Sequence, residues 1–184
     1  MTSKNETPSR TLLDVPFLRA CSDERILQDC RWEAFRASGP GGQKRNKTSS
    51  AIRLVHTPTN IAAIANESRS QAANRKSALG RLRHRMTLEL REGIAVETFT
   101  IPLWFQAHCP GGKLDISRRH AMYLPVVGLI LDVLTAIGFS VSEAAKLLEL
   151  STSNLVKFLQ GDEKLMARVN EMRLIARFKP LGAG

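Results

Sequence analysis

The sequence predicts an α+β fold: a small mixed domain followed by an α-helical C-terminal module. Three observations carry that expectation. Two short apolar runs flank a Thr57-Pro58-Thr59-Asn60 turn. A long stretch rich in Ala, Arg and Leu follows, with its apolar residues at helical spacing. The second half reads as helix throughout, without repeats or low-complexity sequence. An apolar share of 43% with 24% charged residues suits a globular chain with a core large enough for one compact domain and a smaller module.

Residues 1–11 lack an apolar signal core and read as a mobile tail. Leu12 to Leu18, containing Pro16, reads as a segment packed on the domain. Ser22-Asp23-Glu24 offers an N-cap and an acidic first turn for a helix expected to run to about Trp32, with Leu27, Cys30 and Ala34 on its buried side. Ala37 to Thr48 holds three glycines, a proline and three basic residues with almost nothing apolar, the composition of an exposed loop. Ala51 to His56 alternates as a strand with Ile52 and Leu54 on one face. Pro58 and Asn60 supply the restricted geometry of a turn, and Ile61 to Ala65 returns as a second strand. Ser68 and Gln71 fit a capping box for a helix reaching Glu92. Ala72, Leu79, Leu82, Met86 and Leu90 form its apolar stripe.

A boundary near Gly93 to Thr100 separates a domain over residues 12–92 from a helical module over 100–184. Within the module, a capped helix from Ser142, a second from Thr152 to Gln160 and a third from Asp162 are spaced like a helix-turn-helix. A three-helix bundle with no nucleic-acid role gives the same spacing. Charge favours the bundle, because residues 92–184 carry 10 Lys/Arg against 9 Asp/Glu. Lys157 is the only cation of the second helix, so no DNA partner is expected.

The net charge of +10 is concentrated in one region. Residues 31–91 hold 13 Lys/Arg against 3 Asp/Glu, and the rest of the chain holds 14 of each sign. A solvated surface does not require such segregation, whereas a face built to meet phosphates does. Cys21, Cys30 and Cys109 are odd in number and unclustered, which argues against a disulfide framework or a structural zinc and suits a reducing cytoplasm. His56, His84, His108 and His120 are scattered and read as structural or surface residues. The most apolar run, Met122 to Gly138, is broken by Pro125, Gly128 and Asp132, so it reads as a buried helix and no membrane span is expected. Without a P-loop or zinc motif, neither a metal nor any other cofactor is expected.

The chemistry is expected in the stretch from Arg36 to Thr48. Gly41 and Gly42 free the backbone and leave no side chains to block close approach. Gln43 is neutral and no ordinary general base, so its contribution is positional: orienting a water, or donating a backbone hydrogen bond to developing negative charge. Arg36, Lys44, Arg45 and Lys47 would anchor such a loop on RNA phosphates. On composition alone, an anion-binding turn and a plain flexible loop compete with this reading.

Further residues narrow the choice. Ser38-Gly39-Pro40-Gly41-Gly42-Gln43, then Asn46-Lys47, then Ala51-Ile52-Arg53-Leu54-Val55-His56, resembles the catalytic domain of bacterial-type class I peptide chain release factors. Thr59-Asn60-Ile61, Arg69-Ser70-Gln71 and Asn74-Arg75 continue the resemblance in order, over about residues 12–91. The resemblance implies a small α+β domain that carries Gly41-Gly42-Gln43 into the peptidyl-transferase centre of the large ribosomal subunit. There, Gln43 would place the water that hydrolyses peptidyl-tRNA, with ribosomal RNA and peptidyl-tRNA as partners. Arg53, Arg69, Arg75, Lys76, Arg81, Arg83 and Arg85 would join the loop cations in the RNA-facing set, and Gln71 and Asn74 match positions of support. The family's glutamine is often N5-methylated, which makes Gln43 a candidate for a glutamine methyltransferase.

Two departures stand out. Lys44-Arg45 replaces the usual His-Val after the glutamine, and Asn66-Glu67-Ser68 displaces the usual acidic residue before Arg69. Only about 35 residues precede the loop, so the likeness is nearest to the short, stop-codon-independent ribosome-rescue hydrolases, although the long basic tail of those proteins is replaced by a neutral helical module. A non-hydrolytic factor that uses the domain only for docking is the alternative, and an intact Gly-Gly-Gln is not something docking would require. Cys109-Pro110-Gly111-Gly112-Lys113 lacks the glutamine and reads as a turn. Trp104-Phe105 could stack on bases but reads as core.

Overall fold

A computed structural model describes residue 15, residue 19 and residues 21–35 and 50–182. The elements in order are α1 (Asp23–Gln28), β1 (Cys30–Phe35), β2 (Ala51–His56), β3 (Ile61–Ala65), α2 (Gln71–Glu89), α3 (Leu103–Gln106), α4 (Tyr123–Ala136), α5 (Val141–Leu147), α6 (Thr152–Gln160) and α7 (Glu163–Ile175). The arrangement is α+β, with one three-stranded antiparallel sheet ordered β1-β2-β3. The tail at 1–11 and most of the segment at 12–18 lie outside the described residues; of the latter, Val15 is described and is buried.

Ser22 caps α1 as expected, accepting from the Arg25 N–H, but the helix does not continue to Trp32. It stops at Gln28, and the Asp29 carbonyl accepts from the Thr57 N–H at 2.9 Å, which ties the chain to the β2–β3 turn. From there Cys30 to Phe35 pair with β2, Cys30 opposite His56 and Phe35 opposite Ala51. The residues read as a helical stripe are a strand because β2 offers a ladder along their whole length. At the other side of β2, Ile52 pairs with Ala65 and His56 with Ile61, joined by the turn in which Asn60 takes φ 56°. Asn accepts that left-handed conformation more readily than most residues.

Helix α2 lies across this sheet. Its N-cap is Ser70, which accepts from the Ala73 N–H at 3.3 Å, and not Ser68, whose hydroxyl oxygen accepts from the Ser70 N–H at 3.1 Å instead. The helix ends at Glu89, short of Glu92. Ala78, Leu79, Leu82 and Met86 pack on Ile52, Leu54, Ile61 and Ala63 to form one core. Ala72 is exposed, and Asn74 takes the buried position near it.

Leu88, on the same helix, belongs to a second core built on α4 with Phe105, Val126, Ile130, Leu134, Leu155 and Leu165. Helix α4 is apolar on nearly every side and largely buried. Pro125 sits in its first turn, where the missing N–H costs no helical hydrogen bond. Residues 141–147, 152–160 and 163–175 form the three expected helices, although the N-cap residue of the first lies two residues earlier, at Ser140 in place of Ser142. Pro110–Gly112 is a short 3-10 turn with Gly111 and Gly112 both at positive φ. Among the described residues no single helix is long and apolar enough to cross a membrane.

Two buried carboxylates fasten the second core to the first. Asp132 is 1% exposed and receives the Arg19 guanidinium, which also donates to the Leu90 carbonyl at 2.9 Å. The Glu92 N–H adds a bond of 3.0 Å to Asp132, and Arg91 stands beside it at 3.4 Å. Gly128 makes room, since a Cβ there would stand 2.7 Å from Arg19 Nε. The second carboxylate, Asp162, caps α7 through the Lys164 and Leu165 N–H groups. It also accepts from His84 Nε2 at 2.9 Å and from the Tyr123 hydroxyl at 3.1 Å. Burial pushes the Asp162 pKa up, but the Leu165 N–H, His84 and Tyr123 outweigh it and hold the carboxyl below its ordinary value. An ionised carboxylate only accepts, so His84 presents Nε2–H to it.

Candidate functional site

Gly41, Gly42 and Gln43 lie outside the described residues, as do Arg36, Lys44, Arg45 and Lys47. The framework on either side of them is described. Phe35, the last residue of β1, faces Ala51, the first of β2, so the chain leaves the sheet and re-enters it at adjacent points. Residue 50 is held by the fully buried Asn74. Its Nδ2 donates to the Ser50 carbonyl at 2.6 Å and to the Ser68 carbonyl at 2.8 Å, and its Oδ1 accepts from the Ser68 N–H at 2.9 Å. One side chain on the first turn of α2 therefore clamps the start of β2 to the segment entering the helix. An Asn serves because it carries donor and acceptor on one short planar group.

The cations expected on the RNA-facing side divide into two groups. Arg69, Arg75 and Lys76 are exposed at the N-terminal end of α2, the end that carries the Asn74 clamp. Among the described residues they make no ion pair. The Arg75 guanidinium lies 5.4 Å from the centroid of the Trp32 ring, and Trp32 is 49% exposed on β1. A half-exposed indole with a guanidinium over its face presents two surfaces on which a base can stack. Sequence reading missed Trp32 because it placed that residue at the end of a helix; a Trp beside Arg31 in a strand would have been the signal.

Arg81, Arg83 and Arg85 have internal partners. Arg81 donates to the Ile64 carbonyl at 2.6 Å and pairs with Glu67; Arg85 donates to the Ala62 carbonyl at 3.0 Å and pairs with Glu89. Both carbonyls belong to β3, an edge strand, so these two arginines occupy acceptors that another strand would otherwise use. Arg83 bonds Asp23 and the Cys21 carbonyl, holding α1 against α2. Arg53 is exposed on β2 and makes no ion pair among the described residues.

His56 is fully buried at the end of β2, with Nδ1 2.8 Å from Thr59 Oγ1 and Nε2 without a partner. Burial lowers its pKa from the model-compound value of 6.5. Burial raises Cys30 to about 11, assisted by Asp29, so this thiol stays protonated and unreactive. Phe105 is core and Trp104 is 38% exposed; His108 and His120 stack edge-to-face at 5.1 Å. Among the described residues, no three His, Cys, Asp or Glu side chains gather as a metal site.

This framework has a counterpart in sequence. Residues 25–97 match the RF-1 domain family. The chain is 41% identical to peptide chain release factor 1 of Lachnoclostridium phytofermentans over 87 residues, 47% of this chain and 24% of the relative. It is 48% identical to peptide chain release factor 2 of Lactiplantibacillus plantarum over 90 residues, 49% of this chain and 22% of that protein. Peptide chain release factor 1 of Thermus thermophilus is 49% identical over 65 residues, covering 35% and 18% of the two chains. The match thus spans about a quarter or less of the length of these release factors. It takes in α1 from residue 25, the sheet, α2 and the stretch between β1 and β2; α3 to α7 lie beyond it.

Proposed function

We propose that this chain hydrolyses the ester of peptidyl-tRNA on ribosomes without reading a codon, as a cytoplasmic ribosome-rescue factor. The observation that carries the proposal is Gly41-Gly42-Gln43 itself, set between two paired strands in a stretch similar to release factors. Water attacks the ester carbonyl carbon, the bond to the ribose oxygen of the tRNA breaks, and the peptide leaves as an acid. Gln43 orients that water, and its backbone N–H donates to the oxygen that gains charge. Gly41 and Gly42 allow the backbone to come close enough, and the loop cations neutralise the surrounding ribosomal RNA of the peptidyl-transferase centre. N5-methylation of Gln43 by a methyltransferase would restrict its rotation and is compatible with a positional role.

Beyond the matched region the described residues form a near-neutral helical bundle packed against α2, and whether release needs a codon is decided by experiment. The test compares peptide release from ribosomes carrying peptidyl-tRNA with an empty A site and from complexes programmed with a stop codon. Equal or faster release on the empty site supports a rescue hydrolase. Release confined to the stop-codon complex overturns codon independence.

A further inference from the structure

The seam between the two halves carries a groove that the loop chemistry does not use. It opens as a cleft of about 510 Å³ lined by Arg53 of β2, Arg81 and Arg85 of α2, and Lys164 of α7. The rest of its lining is Ala62, Ala63, Ile64, His84 and Leu88, mostly apolar, with Ile64 46% exposed. A second cleft adjoins it through the shared Arg85, Leu88 and Lys164 and continues along α7 past Arg168; Glu89 and Glu171 line it too, paired with Arg85 and Arg168. Lys164 and Arg168 lie beyond the residues that match the RF-1 family, so the groove exists only because the C-terminal module is docked where it is.

We propose that this groove binds an RNA strand along its phosphate backbone, making the module part of the RNA-binding surface. The proposal rests on the ribosomal reading above for the source of the RNA. Three features favour RNA. The cations are strung along the groove and do not converge on one point, which suits a run of phosphates better than a single anion. The apolar residues between the cations, Ala63, Ile64 and Leu88, accommodate ribose and base edges between the phosphates. Arg81 and Arg85 each use two of five N–H donors on carbonyls and carboxylates, leaving the others free, while Arg53 and Lys164 make no ion pair among the described residues.

Binding of the full chain to intact ribosomes and to deproteinised large-subunit ribosomal RNA tests this, over a salt series. Lys164→Glu, Lys164→Ala and Arg53→Glu are compared with Lys157→Glu, a charge reversal outside the groove. Circular dichroism melting checks that each variant folds. The expected result is binding to both probes weakened on the order of tenfold by each groove reversal, with a salt slope smaller by about 0.7–0.9 per lost phosphate contact. Lys157→Glu should bind as wild type. Unchanged binding in folded groove variants overturns the proposal. So does a defect seen on ribosomes but absent on bare RNA, which would mean an acidic protein surface is the partner. Peptide release, measured alongside, separates the readings. A hydrolase with no groove effect retains the proposed function and loses this one, and an RNA-binding defect in a chain that never releases peptide does the reverse.

Discussion

The Asn74 side chain donates to the Ser50 carbonyl at 2.6 Å, joining the first turn of α2 to the point where the chain re-enters the sheet after Gly41-Gly42-Gln43. Twenty-four residues separate the pair. Together with the Phe35–Ala51 pairing, this bond holds the chain on both sides of the segment that carries Gly41-Gly42-Gln43. Under the proposed function, in which Gln43 is placed at a reacting ester, firmly held loop ends contribute to that placement.

Asn74→Ala should therefore cost stability and activity unequally. It leaves the Ser50 carbonyl and both backbone groups of Ser68 short of a buried partner, about 2–4 kcal/mol at typical values for such groups. Urea unfolding measures that loss. Under conditions where the variant stays folded, peptide release should fall more than ribosome affinity. Equal losses in both would make Asn74 a generic core residue.

Asp132→Ala tests the joint between the two cores. Removing the carboxylate leaves Arg19, which is 10% exposed, without its counter-charge. Breaking one partner of a buried pair costs about 3–5 kcal/mol. Arg91, whose pKa burial lowers to about 10 despite the attraction of Asp132, loses support as well. Limited proteolysis should then cut near Gly93 to Thr100 before the sheet unfolds; simultaneous loss of both halves would show instead that they form one cooperative unit.

His56 gives a pH dependence of defined sign. Its folded pKa lies below 6.5, so between 6.5 and that value the unfolded chain binds the proton and the folded chain does not. The contribution of neutral His56 is complete above pH 6.5 and is lost as pH falls toward and through the folded pKa. Urea midpoints across pH 5 to 8, near the ordinary range for His titration, should decline on the acid side in wild type. The decline should be shallower in His56→Gln, and identical slopes would contradict the assignment.

Trp32→Ala should leave stability nearly intact, since an exposed cation–π contact is worth only about 0.5–1 kcal/mol. If the indole and Arg75 present a stacking surface, ribosome affinity should fall several-fold while the melting temperature hardly moves. Lowered melting with unchanged affinity would assign the pair to packing alone.

Legibility in the sequence followed the locality of the cause. Strands β2 and β3, the Pro58–Asn60 turn and α2 were readable because alternation, turn chemistry and helical spacing act over a few residues. Strand β1 was not, because Trp32, Glu33 and Ala34 are exposed and show no buried face; their conformation comes from pairing with β2. Ser70 and not Ser68 is the cap because the Ser68 hydroxyl is spent on the Ser70 N–H, while Asn74 holds both backbone groups of Ser68. Gly128 and Asp132 could be seen only as interruptions of an apolar run. Together they receive Arg19, 113 residues away from Asp132, and no local pattern announces such a partner. The roles of Arg81, Arg83 and Arg85 in holding β3 and α1 were hidden in the same way, behind a charge count that pointed only outward.

The central claim is most directly tested by peptide release from ribosomes with an empty A site, comparing wild type with Gln43→Ala and measuring ribosome binding in parallel. Strong release by wild type is expected, with release reduced toward background in Gln43→Ala and binding unchanged. Binding by wild type without release on any ribosomal complex, or equal release by the two proteins, would contradict it.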